Sequence, residues 1–341
     1  MFLHSTYHKS FFSAVVTLLL VASLPSRAEK SIYIPDFMGT LRARYEYLPS
    51  HNLSAFKVRT LRIGVDGYVA PVMRYNVMVD FSDWGKIKLV NAFVGLTPVK
   101  GLSLNLGQQR MPFSLSAHRL TCEQFFVNRN FVAKYGGIRD VGFMAGYSFP
   151  KIPLTLQASV FNCSGVDAEK HFFTNTYGFS AKVFSKFLPN WYATASTARM
   201  KRGTAFNQDW DVGAFFDNGL WHVEAEYMRK NYAHGVFTPV NAFDFFAFRN
   251  FPIEKHYVAG ISGAIRYDYM SDHSTGTPSE EGILIADHPE CHRLTLGTTL
   301  AFMTKFQAEI RLNYEQYFYR KSVVPPLTDD NKLVLEVIAH F

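Results

Sequence analysis

The sequence predicts an all-β protein, a transmembrane antiparallel β-barrel of about sixteen strands, and three observations carry that reading. Apolar and polar residues alternate along most of the 341-residue chain, which is the two-residue period of a strand with unlike faces. Aromatic residues reach 16% while mean hydropathy is only -0.03, a balance that suits half the side chains turned to lipid and half to water. The chain also ends on "KLVLEVIAHF", with Leu333, Leu335, Val337, Ala339 and Phe341 on one face and Lys332, Glu336 and His340 on the other, Val334 and Ile338 lying between them. A strand at the extreme terminus is a frayed edge unless it closes against another strand, and a closed barrel supplies that partner.

Taken in order, the N-terminus comes first. Lys9 precedes an apolar run from Phe11 to Leu24, and small residues follow at Ser26 and Ala28. The run is too short to cross a bilayer and lacks a stop-transfer flank, so residues 1–28 read as a cleaved secretory signal and 29–341 as the barrel. Loss of Lys9 and Arg27 lowers the net charge from +7 to +5.

The strands follow. "FMGTLRARYEYL" sets Leu41, Ala43, Tyr45 and Tyr47 against Arg42, Arg44 and Glu46. "RTLRIGVDGYV" sets Leu61, Ile63, Val65 and Val69 against Arg62 and Asp66, and "RYNVMVDF" sets Tyr75, Val77, Val79 and Phe81 against Arg74, Asn76 and Asp80. Later, "LWHVEAEYMRK" opposes Trp221, Val223, Ala225 and Tyr227 to His222, Glu224, Glu226 and Lys230. "KFQAEIRLNYEQY" opposes Phe306, Ala308, Ile310, Leu312 and Tyr314 to Gln307, Glu309, Arg311, Asn313 and Glu315. Tight connections fall at 82–86, 97–101, 149–153, 187–190, 216–219 and 302–305, and long polar ones at 112–138, 164–174, 231–239, 271–290 and 321–330. Roughly alternating short and long connections are what periplasmic turns and external loops produce, and bacterial barrels require an even strand count. The remaining all-β readings are a soluble lipocalin-like barrel and a secreted sandwich.

At "RTLRIGVDG", "RYNVMVDF", "KLVNAFVGL" and "LNLGQQRMPFSL", and later at "ASVFNCSG" and "IRYDYMSDHS", the chain resembles the phosphate-selective porins of the O and P family. The resemblance implies a trimeric sixteen-stranded barrel in the outer membrane of a Gram-negative bacterium, with an inward-folded third loop as constriction and a basic, anion-preferring channel. By the same resemblance, Arg59 and Arg62 match basic positions of the second-strand motif, and Arg110 matches the basic residue before "PF". The terminal Phe341 resembles the signal that outer-membrane barrels offer their assembly machinery.

An anion pore needs fixed cations where hydration is lost, and arginine meets phosphate bidentately. The strand phases place Arg42, Arg44, Arg62, Arg74, Arg266, Arg293 and Arg311 toward the lumen. The stretch after the fifth strand, from Pro112 to Asp140, carries Arg119, Arg129, Lys134 and Arg139 against Glu123 and Asp140 and suits a constriction loop or an ordinary external one. Glu46, Asp66, Asp80, Glu224, Glu226, Glu309 and Glu315 share the lumen, so the arginines either recognise anions or pair with these carboxylates. The function expected is passive diffusion of small anions such as phosphate. The alternatives are a weakly selective general porin and a barrel whose loops hold an extracellular partner.

Other chemistry has little support. "DHPECHR" brings His288, Cys291 and His292 near Asp272 and His273 without a standard zinc spacing. Catalytic, cofactor-binding and nucleic-acid motifs are absent, which leaves an outward-facing Ser/His pair built on His222 as the one enzymatic alternative. Cys122, Cys163 and Cys291 leave at least one free thiol, with a Cys122–Cys163 bridge as one pairing.

Overall fold

The computed structural model describes residues 32–83, 86–166, 173–281, 283–320 and 326–341. Its sixteen strands form one closed antiparallel barrel in which each pairs with its neighbours in sequence, and β1 (Asp36–Leu48) pairs with β16 (Lys332–His340). Between them run β2 (Leu53–Ala70), β3 (Met73–Asp83), β4 (Lys86–Leu96), β5 (Leu102–Arg110), β6 (Arg139–Ser148), β7 (Leu154–Phe161) and β8 (Gly178–Leu188). The second half comprises β9 (Trp191–Arg202), β10 (Ala205–Asp217), β11 (Trp221–Tyr232), β12 (Val240–Lys255), β13 (Val258–Met270), β14 (Cys291–Phe302) and β15 (Gln307–Tyr319). The expected leader at 1–28 lies outside the described residues.

The alternation read from sequence is the inside–outside alternation of the wall. In β16, Leu335 and Val337 are 42% and 51% exposed on the outer face, whereas Val334 and Glu336 are both at 0%. An outer face of this kind is stable only against hydrocarbon, and every backbone group finds a partner because the sheet closes. Phe187, Trp191, Trp221, Phe251, Phe306 and Phe341 project outward at the end where β1 starts and β16 finishes. Their place is the aromatic belt of one membrane interface.

At that end all connections are short, and Pro189–Asn190 turns the chain with Asn190 at φ 66°. The opposite end holds the long connections 111–138, 162–177, 233–239, 271–290 and 320–331. It also holds three tight ones, at 49–52, 84–85 and 203–204, so the 82–86 turn belongs to the loop end and connection length alone does not mark the side. Residues 84–85 and much of the 164–174 and 321–330 stretches lie outside the described residues.

Phe341 closes the seam. Its backbone exchanges two hydrogen bonds with Gly39 of β1, at 2.7 and 3.0 Å. Its ring covers Gly39, where a Cβ would come within 2.3 Å of it, and meets Phe306 edge-on with centroids 6.2 Å apart.

The β5–β6 connection, 111–138, folds into the barrel. Its second half forms α1 (Phe131–Gly136), capped by the Asn130 side chain, which accepts from the Ala133 amide at 2.7 Å. Met111, Phe113, Phe131 and Val132 are fully buried against inward-facing residues such as Met228, Val240 and Met270. A dry core therefore fills the side of the lumen against β11–β13 and presses the loop onto that wall.

Candidate functional site

Charge fixes what apolar packing begins. Arg42 and Arg44 share the carboxylate of Glu336, at 2.8 and 2.6 Å, and both donate to the Val127 carbonyl of the loop, at 2.7 and 3.0 Å. Farther round the wall, Arg293 pairs with Asp268 at 2.5 Å and donates to the Arg129 carbonyl at 2.7 Å. Arg266 lies 3.9–4.0 Å from Asp244, Asp268 and Glu315 and donates to the Asn128 carbonyl at 2.9 Å. Glu226 accepts from Ser114 Oγ and the Leu115 amide, at 2.7 and 2.6 Å. Charge-assisted bonds of this kind are strong and short, and removing one partner of a buried pair is costly because it strands the other charge.

Nine of the thirteen cations expected in the pore have a carboxylate partner. Besides Arg42, Arg44, Arg266 and Arg293, these are Arg62 with Asp80 at 2.7 Å, Arg74 with Asp66 at 2.5 Å and Arg119 with Glu224 at 2.5 Å. Lys134 holds Asp329 at 2.8 Å, and Arg311 holds Glu309 at 2.5 Å. Arg119 and Lys134 thus anchor the loop through these pairs.

Arg59, Arg110, Arg129 and Arg139 stand apart, with no carboxylate partner among the described residues. Arg110 donates to the Arg119 carbonyl at 3.0 Å, and Arg139 to the Val90 carbonyl at 2.5 Å and to the Asn91 side chain. The Arg59 and Arg129 guanidiniums make no hydrogen bond among the described residues. Arg59 owes its aim to a register shift: Arg42 lies opposite Thr60 but Ala43 opposite Val58, which leaves Arg59 as the extra residue of a β-bulge. Bulges redirect side chains in this way, and the charges nearest Arg59 are the lumen groups Arg44, Glu336, Glu46 and Arg62.

The four converge around Arg62. Arg129 has Arg110, Arg62, Arg42 and Arg59 as charged neighbours; Arg110 has Arg139, Arg62 and Glu123; Arg139 has Arg62 and Arg129. Burial first, and then those guanidiniums, lower the pKa of Arg129, which sits on the loop and outside the strands, to about 9. Like charges pressed together by the fold repel one another, and an anion among them relieves that repulsion. In a narrow, low-dielectric passage the effect is focused.

Sequence reasoning missed the opposing wall. Asp211, Asp244 and Asp268 are buried on inward phases of β10, β12 and β13, and Lys182 of β8 donates to the Ser114 carbonyl at 2.5 Å. The alternation in "DWDVG", "FDFFAF" and "IRYDYM" carried the signal for the three aspartates. The residues of "DHPECHR" do not converge. His292 turns to the outer face beside Tyr269, with ring centroids 4.7 Å apart, and no metal-binding group of three forms among the described residues. Cys122, Cys163 and Cys291 are all free, so the Cys122–Cys163 bridge does not form. Cys122 sits on the loop, its carbonyl accepting from Gln307 and Arg311, while Cys163 lies against the Lys201 amide of β9.

A closed sixteen-strand barrel with an apolar outer belt, an inward-folded third loop and a charged lumen is an outer-membrane protein of the porin class, the architecture of the Gram-negative outer membrane. The sequence model of the phosphate-selective porin O and P family matches residues 44–190. None of the curated proteins matches the chain in sequence. Among solved structures, the chain is similar to the outer membrane channel DcaP of Acinetobacter baumannii, at 12% identity and TM-score 0.62, covering 93% of this chain and 100% of that one. It is similar to Pseudomonas putida OprB, at 9% identity and TM-score 0.63, with 97% of each chain covered. Vibrio cholerae OmpT in its trimer form gives 12% identity and TM-score 0.58, covering 90% and 98%. At these identities the likeness is one of fold.

Proposed function

We propose that the protein is a passive porin that favours small anions, phosphate among them, at a basic constriction between β2, β5, β6 and the inward loop. The observation that carries this is the group of four guanidiniums without a carboxylate partner, Arg59, Arg110, Arg129 and Arg139, gathered around Arg62. Fixed cations replace an anion's lost hydration with charge-assisted hydrogen bonds, and arginine suits phosphate oxygens best. The family match at 44–190 supports phosphate as the anion, since the matched segment contains every member of the cluster. The paired state of the other nine cations favours modest selectivity over a steep one, because those charges are largely neutralised where they stand. The trimer form of OmpT supports a homotrimer for this chain.

Planar-bilayer recording tests the assignment. Arg59→Gln and Arg129→Gln are expected to shift the reversal potential in a potassium chloride gradient toward zero and to raise the phosphate concentration that blocks half the chloride current. Arg74→Gln, a paired arginine near the short-turn end, is expected to do far less. Equal effects from all three variants would remove the cluster from the account.

A further inference from the structure

The inner face of the wall facing the arginines breaks the polar-inside rule of water-filled barrels. At one level, on five adjacent strands, inward positions carry Phe184 of β8, Tyr192 of β9, Phe215 of β10, His222 of β11 and Phe248 of β12. Phe125 of the inward loop touches the far end, 4.4 Å from the His222 ring and 5.0 Å from Phe248 between centroids. The dry core under the loop does not include these rings. Phe184, Tyr192, Phe215 and Phe248 remain half-buried, below the loop and toward the short-turn end.

The rings stand side by side. Tyr192 and Phe215 are register partners whose planes differ by 9° at 4.5 Å, Phe215 and His222 by 22° at 5.1 Å, and Phe184 and Tyr192 by 26° at 5.9 Å. Their faces are turned to one another along the wall, so their edges meet the lumen. An aromatic edge carries the positive end of the ring quadrupole and prefers the face of another ring. At the open end of the band Lys186 is exposed, its Nζ 5.4 Å from the Tyr192 centroid, with no carboxylate partner among the described residues.

We propose that this band is a binding site for a small aromatic anion, an aryl carboxylate or aryl phosphate. The ring lies flat across the edges of Tyr192 and Phe215, and the anionic group meets the Lys186 ammonium. The proposal deepens the anion-porin reading, yet it uses none of the arginine cluster. Apolar edges offer nothing to a fully hydrated inorganic anion, and a pyranose has no π-face to set upon them.

Half-blocking concentrations in planar bilayers decide it, with phenyl phosphate, glucose 6-phosphate and inorganic phosphate as probes. For the wild type, phenyl phosphate is expected to block at a several-fold lower concentration than the other two. Tyr192→Leu and Phe215→Leu keep apolar volume but lose the ring edge, and each is expected to bring phenyl phosphate back to the level of inorganic phosphate; Lys186→Gln is expected to weaken phenyl phosphate block with the rings in place. Reversal potentials are expected to be unchanged in the two leucine variants, which separates this site from the constriction. Equal block by all three probes in the wild type, or an aryl preference that survives both leucine variants, would overturn the proposal. Stronger block by glucose 6-phosphate than by phenyl phosphate would also overturn it and assign the band to sugars. A cation-preferring wild type that keeps the aryl preference would leave the band standing and remove the constriction reading alone.

Discussion

One buried carboxylate holds down the charge of the wall beside the arginine cluster. Glu336 is fully buried and shares its one negative charge between Arg42 and Arg44, the latter also paired with Glu46 at 3.0 Å. Glu336→Gln leaves Arg42 without a carboxylate partner among the described residues and Arg44 with Glu46 alone, on the wall next to Arg59. We expect on the order of 3 kcal/mol of lost stability, the usual cost of breaking a buried pair, read as a lower refolding midpoint in lipid vesicles. We also expect a reversal potential moved further toward anions in the fraction that folds. A selectivity unchanged from wild type would mean that the field at the constriction does not depend on this wall. Arg119→Ala is expected to act differently, because Arg119 ties the loop to Glu224 at 2.5 Å. It should make single-channel current noisier rather than merely less selective.

Elements hold these residues in place, and two expectations belong to that scale. Val77 of β3 is 41% exposed on the outer face, while its neighbour Asn76 is 5% exposed and donates to Asp66 at 2.9 Å. Val77→Lys is expected to cost about 2–4 kcal/mol in lipid, and Asn76→Lys much less, since the new ammonium lands beside Asp66. Equal costs would mean that the faces are reversed. The second concerns the 271–290 connection, where His273 is wholly buried with Lys230 Nζ at 3.0 Å and Asp287 at 3.3 Å. Burial, followed by the Lys230 charge, presses the His273 pKa down to about 2. An unfolded chain takes up that proton near pH 6.5 and the folded one does not. The contribution is therefore complete above about 6.5 and is lost as pH falls below it. The temperature of heat-modifiable unfolding is expected to drop between pH 7.5 and 5, and less so in His273→Gln; the same drop in both would remove His273 from the cause.

For the whole molecule, closure is the central feature, and the C-terminus was where the sequence showed it most clearly. Alternation is local, so the faces of β1, β2, β3, β11, β15 and β16 could be read directly from residue order. Register is not local. The bulge that aims Arg59 inward appears only once β1 and β2 are paired, and the Glu336 that neutralises Arg42 lies 294 residues away from it. For the same reason the lumen arginines were visible as a set, but which of them lacked partners was not. Phe341→Ser is expected to lower the yield of folded barrel in the outer membrane, because it removes the ring that covers Gly39 at the seam. A wild-type yield would leave that terminal ring without a role in assembly.

The most direct test of the central claim is the reversal potential of the purified wild-type protein in a planar bilayer under a potassium chloride gradient. Nine cations are neutralised in place and four arginines without carboxylate partners face the passage, so the account predicts chloride preference of modest size, reduced by added phosphate. A reversal potential on the potassium side would contradict it.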